Sequence, residues 1–514
     1  DRFSTMRQYG GLNGFLLRTE SEHDCYGAGH AGTALSAGLG MAVGRDLKGS
    51  DENIVVIAGD AAFTNGISYE ALNNIKSQTK RFIVVLNDNE WSIAKNVGAI
   101  ASYLNAIVTN PTYAHLHDKA RGFVEAILGK TGVHFAHKVE ESVKGLIVPS
   151  VIFEELGLRY YGPIDGHDIP LLIRTFEFLK TQEEPVLLHI LTKKGKGYEP
   201  AIKQPDKFHG LGKYKIESGE TAPAPTPTYS EIIGKALAKF AEHNQKLVAI
   251  TAAMPSGTGL SHFKPYLTIY STFMQRAYDM IIHDIALQNL NVALCMDRAG
   301  LSGDDGPTHH GLFDIGYLRH IPNFVHMQPK NEDEFVDMLW TIANYDSGPI
   351  AIRYPRGAGT GAVPKAAPKL LEIGKAEVVQ HGRDVAIFGL GNMFEVAEEA
   401  AKKLEEKGIS VALINPRWIK PLDTGTLEFF ARSVEVLCTI EDHVLHNGFG
   451  CAVMEHLHSQ QINTPVARVG WPDEFIEHGS VPILRKKHGI TADALVEKVL
   501  PLLKKKPAAK TTAA

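Results

Sequence analysis

Cysteine is scarce in this 514-residue chain. Its four cysteines, Cys25, Cys295, Cys438 and Cys451, form no CxxC pair and no metal-like spacing, which excludes a disulfide framework and a thiolate zinc site and fits buried free thiols in a reduced compartment. No apolar run approaches the ~18 residues needed to span a bilayer, so a membrane role is not expected. A net charge of −5 gives no general affinity for polyanions, which argues against nucleic acid. The sequence opens at Asp1 without Met or a signal-like segment, so a trimmed or processed start is expected. Hydrophobic residues at 44% and charged residues at 22% are ordinary for a globular chain, whose length suits two to four domains.

What is present is an alternation of apolar runs and helical patterns. "IVVIAGDAAFTNG", Ile54 to Gly66, and "FIVVLNDNEW", Phe82 to Trp91, enclose a helical pattern from about Asn65 to Ile75. This predicts a βαβ unit of a parallel sheet. Further strands are expected at Pro185–Leu191, Leu247–Met254, Leu267–Phe273, Asn291–Asp297, Pro349–Pro355, Val385–Gly391, Ser410–Pro416 and Val434–His443. The Pro/Ala/Thr-rich stretch 219–228 reads as a linker, and the Lys/Ala/Thr-rich end from Lys504 as a disordered tail. The fold class is therefore α/β, with three successive doubly wound domains. Their expected bounds are 1–218, 229–365 and 366–503, with the linker at 219–228 and the tail at 504–514.

In parallel sheets ligands gather beyond the carboxyl ends of the strands. Asp60 and Asn87–Asn89 lie there, and a carboxylate with a carboxamide oxygen suits Mg²⁺. Small residues at Gly59, Ala61 and Ala62 let backbone amides approach phosphate. On spacing alone, an N-cap at Asp60 and a turn at Asn87–Asn89 account for the same residues equally well.

Gly-Asp followed about thirty residues later by Asn-Asp-Asn is similar to the thiamine-diphosphate motif of transketolase-like enzymes. The match continues in "YGAGHAGTALSAGLGMAVGRDLKG", "YYGPIDGHD", "LTKKGKGYEP", "AAMPSGTGL", "IYSTFMQRAYDMIIHD", "DRAGLSGDDGPTHHGLFD" and "IRYPRG". From about Asp1 to Leu503 the chain resembles the 1-deoxy-D-xylulose-5-phosphate synthase family of transferases. The resemblance implies decarboxylating condensation of pyruvate with D-glyceraldehyde 3-phosphate, feeding isoprenoid, thiamine and pyridoxal synthesis. It also implies thiamine diphosphate and Mg²⁺ as cofactors, a homodimer and a cytoplasmic location. Asp60, Asn89 and the Trp91 carbonyl are the implied metal ligands. His30, Lys194, Phe273 and the backbone at Ala61 and Ala62 are implied at the cofactor. Tyr270, Arg276, Arg298, Asp305, His309 and Arg356 are implied at the substrates, with His30, His209, His309 and Asp305 in catalysis. For a lone Phe or Arg, core packing or a solvated surface is the ordinary fate, so these assignments rest on the resemblance.

Two departures stand out. Position 61 is Ala where the family has Gly. Between "PSGTGLSHF" and "KPYLTIYSTF" the family would carry about thirty more residues, including a glutamate that hydrogen-bonds the aminopyrimidine, and a preceding segment with a Gly-His-Gln motif is also lacking. Either the polypeptide has residues this sequence omits, the favoured reading, or the chain is a cofactor-binding homologue with little turnover. Another transketolase-like thiamine-diphosphate enzyme is a further alternative. An NAD enzyme rests only on "GLGN" at 389–392, whose third glycine position holds Phe394. "KKGKG" at 193–197 lacks the order of a phosphate loop, and the pairs His115/His117 and His456/His458 lack partners for zinc.

Overall fold

The computed structural model describes residues 2–92, 94–109, 151–210, 214–221, 226–242, 250–251, 267–365 and 367–504. Two compact units emerge, one made of His30–Ala222 and the other of Asp1–Gly29 with Pro223–Ala514.

The first unit is built on a parallel sheet of strands β1 (Ile54–Gly59), β2 (Phe82–Asp88), β3 (Arg159–Asp165) and β4 (Val186–Leu191), in the order β1-β2-β4-β3. Strand β2 is central and reads as a continuous apolar run because both its faces are covered. Phe82, Val84 and Leu86 join a core with Leu35 and with Leu72 and Ile75 of helix Gly66–Gln78. Ile83 and Val85 face the opposite way, towards Leu179 of helix Ile169–Leu179 and Leu188. The expected βαβ unit is therefore present, its helix running three residues further than the apolar pattern indicates.

The second unit carries two sheets. One has the order β12-β7-β8-β6-β5, from β5 (Leu267–Tyr270), β6 (Ala293–Asp297), β7 (Val325–Met327), β8 (Ile350–Arg353) and β12 (Trp418–Lys420). The other has the order β14-β13-β10-β11-β9, from β9 (Glu377–Gln380), β10 (Val385–Gly389), β11 (Val411–Asn415), β13 (Val436–Val444) and β14 (Val466–Trp471). Both are parallel apart from antiparallel β12 and β9. Strand β12 belongs in sequence to the third block but pairs with β7 of the middle sheet.

The linker gives way to helix Tyr229–Ala241 through a capping box: Thr228 Oγ1 accepts from the Glu231 amide at 3.2 Å, and Glu231 Oε2 accepts from the Thr228 amide at 3.0 Å. The expected strand Leu247–Met254 falls largely outside the described residues. Its Ile250 pairs in parallel with Leu267 and accepts from the Thr268 amide at 2.7 Å. The expected Leu267–Phe273 strand stops at Tyr270, where the helical turn Ser271–Met274 begins. His115 and His117, the tail beyond Lys504 and the segment 261–266 around the missing glutamate also lie outside the described residues. Cys295 and Cys438 are buried, whereas Cys451 is half-buried and Cys25 exposed, so the expectation of buried thiols holds for two of the four.

Candidate active site

In the first unit, the register pairs Gly59 with Asn87 and Asn87 with Ile190, so the polar ends of β1, β2 and β4 meet along one edge. Asp60 is buried there. Its Oδ2 accepts from Asn96 Nδ2 at 2.7 Å, while Oδ1 is buried without a hydrogen-bond partner. Burial, followed by the charge of neighbouring Asp88, pushes its carboxyl up to about 6. Asp88 behaves oppositely. Burial favours its neutral form, but hydrogen bonding to and the charge of His189 more than offset this and hold it below the ordinary value. His189 is fully buried, 3.1 Å from Asp88 Oδ2 through Nε2 and 2.8 Å from the Tyr160 hydroxyl through Nδ1.

The Asn89 Oδ1 accepts from the Trp91 amide at 3.0 Å, so the turn expected on spacing alone is present. A carbonyl oxygen has a second lone pair, which leaves this turn compatible with metal ligation. Lys194 donates to the Ser92 carbonyl at 2.6 Å and to His209 Nδ1 at 3.0 Å, and its ammonium lies 6.0 Å from the Trp91 ring centre. Burial lowers the Lys194 pKa. His30 is half-buried just ahead of helix Ala34–Lys48, its carbonyl accepting from Thr33 Oγ1 at 3.4 Å. Among the described residues, no group of three or more His, Cys, Asp or Glu side chains is placed to hold a metal. The orphaned, buried Asp60 oxygen nevertheless fits a cation, because an unpaired buried carboxylate oxygen carries a desolvation cost that a metal ion would offset.

In the second unit, Tyr270 and Asp297 end adjacent parallel strands. Arg298 follows with φ at +57°, a backbone region a non-glycine residue seldom adopts. Its guanidinium lies 3.8 Å from the Tyr270 ring centre, within cation–π range. Three arginines converge on Asp305: Arg356 at 3.0 Å, Arg7 at 3.2 Å and Arg298 at 3.9 Å. The His309 ring is stacked on Phe15 at 4.6 Å and meets the Phe273 edge at 5.3 Å, and its Nδ1 lies 2.9 Å from Thr308 Oγ1. Phe273 stacks on Tyr270 at 5.2 Å. Burial pushes the Tyr270 hydroxyl up to about 12, keeping it protonated and able to donate.

The structure thus gathers Tyr270, Phe273, Arg298, Asp305, His309 and Arg356 in one place, and Asp60, Asn89, Trp91, Lys194 and His209 along the edge of the other sheet. Arg276 lies exposed on the turn after Phe273. Arg7 and Phe15 escaped sequence reasoning, since no motif ties "MRQYGGLNGF" to a loop some three hundred residues away. His189 escaped as well, being one polar residue inside an apolar strand. That placement was itself the available signal, because a histidine in a buried run needs partners.

The three α/β sheets belong to the transketolase class of fold, as the family matches show. Residues 1–192 match the family model described as 1-deoxy-D-xylulose-5-phosphate synthase, residues 260–360 that of the transketolase pyrimidine binding domain and residues 374–495 that of the transketolase C-terminal domain. Proteins named 1-deoxy-D-xylulose-5-phosphate synthase are 58% identical to this chain in Methylacidiphilum infernorum and 56% in Acidobacterium capsulatum, each over 98% of this chain and 85% of the relative. The corresponding protein of Carboxydothermus hydrogenoformans is 44% identical over 98% of this chain and 86% of its own length. The chain belongs to the 1-deoxy-D-xylulose-5-phosphate synthase family. Against the first relative the alignment spans 534 positions, while 98% of 514 residues is about 504, so roughly 30 positions are gaps on this chain's side. Among the described residues, no helix is long and apolar enough to cross a membrane.

Proposed function

We propose that this chain condenses pyruvate with D-glyceraldehyde 3-phosphate, with loss of CO₂, to give 1-deoxy-D-xylulose 5-phosphate, using thiamine diphosphate and Mg²⁺. The observation that carries the reading is the convergence of Arg298 and Arg356 on Asp305, in a chain 58% identical to a relative named for this activity. Guanidinium forks suit a phosphate monoester, and Asp305 holds two of them ready before substrate arrives.

Each residue contributes a separable task. The open Asp60 oxygen, the Asn89 carboxamide and the Trp91 carbonyl would hold Mg²⁺, with backbone at Ala61 and Ala62, His30 and Lys194 at the diphosphate side. Phe273 offers the flat face that an aminopyrimidine ring wants. When bound, thiamine diphosphate supplies the electron sink for decarboxylation and carbon–carbon bond formation. Arg298 and Arg356 take the aldehyde's phosphate, and the protonated Tyr270 hydroxyl adds a donor. Asp305 orients hydroxyls, and His309, fixed between two aromatic rings, moves a proton at Nε2. His209, beside Lys194, and Arg276, on the turn after Phe273, are further residues of this reading. The homodimer, the cytoplasmic location and the domain bounds 1–218, 229–365 and 366–503 are part of this reading. The family resemblance supports the first two, and the succession of the three sheets along the chain supports the third.

CO₂ release from pyruvate that requires D-glyceraldehyde 3-phosphate, thiamine diphosphate and Mg²⁺ tests the proposal. Turnover with other aldehydes and no phosphate dependence would sink it. The absent glutamate and the gap of about 30 positions motivate a second reading, a homologue that binds the cofactor with little turnover. Calorimetric binding of Mg²⁺ and thiamine diphosphate without product formation would select it.

A further inference from the structure

The loop bearing Asp305 and His309, which begins two residues after Arg298, is pinched at its neck by a reciprocal pair of hydrogen bonds. The Gly300 amide donates to the Gly311 carbonyl at 2.7 Å, and the Gly311 amide donates back at 2.8 Å. A Cβ on Gly300 would sit 2.4 Å from Asp442 Oδ2, and φ there is +85°, so a residue of the third block presses directly on the neck. Asp442 ends up almost fully buried, 1% exposed, with both carboxylate oxygens engaged. Its Oδ1 accepts from the Leu301 amide at 3.2 Å and from Trp471 Nε1 at 2.7 Å, and its Oδ2 accepts from Asn392 Nδ2 at 2.8 Å. Two of these contacts are the third block holding its own carboxylate still. The third, at Leu301, grips the substrate loop.

A second tether lies further along. The Ser302 amide donates to His310 Nδ1 at 3.1 Å, which leaves His310 Nε2–H to donate to the Glu477 carbonyl at 3.1 Å. Burial lowers the His310 pKa and so favours the neutral ring this arrangement requires. Ser302 in turn takes Arg356 on its carbonyl at 2.8 Å and gives its hydroxyl to the His309 carbonyl at 2.6 Å.

We infer that Asp442 is a positioning residue for the phosphate-binding arginines, so that the third block sets affinity for the phosphorylated aldehyde without touching it. This deepens the proposed function and rests on it. A buried carboxyl group whose two oxygens hold three fixed donors transmits position well, because moving it would leave those donors unpaired.

The test is calorimetric binding of D-glyceraldehyde 3-phosphate and of pyruvate to the full chain, loaded with Mg²⁺ and thiamine diphosphate, in wild type, Asp442→Ala, Asp442→Asn and Trp471→Phe. The Ala variant should weaken aldehyde binding at least tenfold and change pyruvate binding less than twofold. Asp442→Asn, which keeps an oxygen for the Leu301 amide, should restore most of the loss. Trp471→Phe, with one donor removed and the carboxylate retained, should weaken aldehyde binding severalfold. Parallel losses for both ligands, or no loss in a variant with wild-type circular dichroism, would overturn the inference. If Asp442→Ala fails to fold, a flat result for Trp471→Phe overturns it alone. Wild-type protein that binds no phosphorylated aldehyde would instead bring down the functional reading.

Discussion

Arg353 is the most informative residue to remove. It ends β8 with no solvent exposure and makes a two-pronged ion pair with equally buried Asp314, Nε to Oδ2 at 2.7 Å and Nη2 to Oδ1 at 3.0 Å. It also donates to Gln328 Oε1 at 2.5 Å and to the Asp442 carbonyl at 3.1 Å. Burial alone would push the Asp314 carboxyl up. The Arg353 charge and hydrogen bonds, with smaller help from His443 and His326, more than offset that and hold it below its ordinary value. Arg353→Met keeps much of the volume but strands the carboxylate, an event that costs about 3–5 kcal/mol. With a midpoint shift of ~2–4 °C per kcal/mol for domains of 150–250 residues, melting should fall by roughly 6–20 °C.

The pH dependence gives the sharper test. In the wild type, Asp314 has a folded pKa below its unfolded one, so its contribution is present above the unfolded value and is lost as pH falls through the folded one. In Arg353→Met the folded pKa moves above the unfolded one, and stability is lost as pH rises through it. The gap between the two proteins should therefore be wide at pH 7 and narrow as pH approaches 4, followed by circular dichroism melts in one buffer series. A gap under about 1 kcal/mol at pH 7, or one that does not change with pH, would refute the reasoning.

Asp60→Asn should abolish Mg²⁺-dependent stabilisation in calorimetry yet stabilise the metal-free protein at pH 7 by about 1–3 kcal/mol, since it removes a negative charge that burial and neighbouring Asp88 disfavour. Arg298→Met or Arg356→Met should raise KM for the phosphorylated aldehyde by roughly 10–150-fold, the equivalent of losing one charged hydrogen-bonded contact of about 1.5–3 kcal/mol, with KM for pyruvate nearly unchanged. Glu441, buried against the amides of Phe449 and Gly450, has its carboxyl pushed up to about 7 by burial. Its contribution to stability is full below the unfolded value and is lost as pH rises through about 7, so the deficit of Glu441→Gln in thermal melts should shrink between pH 5 and pH 8.

The strands that sequence analysis located well are central and parallel. Phe82–Leu86 and Val385–Gly389 are buried on both faces, and such strands must be written as unbroken apolar runs. Trp418–Lys420 was illegible for the opposite reason. Three residues carry no period, and what makes them a strand is an edge offered by another block. Asp60 was legible as a ligand candidate because a carboxylate after an apolar strand is locally odd. The tightening of Asp305 by Arg7 was not, since a contact between residues 298 apart leaves no local trace. Motif resemblance selected Arg298 and His309, whereas the physical setting of each, a left-handed backbone and a cage of aromatic rings, became visible only in the fold.

The exchange of β12 into the middle sheet has a consequence for anyone dividing this chain into modules. An unpaired edge strand is a template for pairing with other molecules. Here β7, which would be that edge, is capped by a strand supplied from more than ninety residues later. A recombinant fragment ending near residue 365 would expose β7 and be prone to aggregate, however well its own core packed. A chimaera that exchanges the last third of the chain must carry a compatible Trp418–Lys420 or inherit the same liability. The boundary at which the protein can be cut is thus not where its linkers lie.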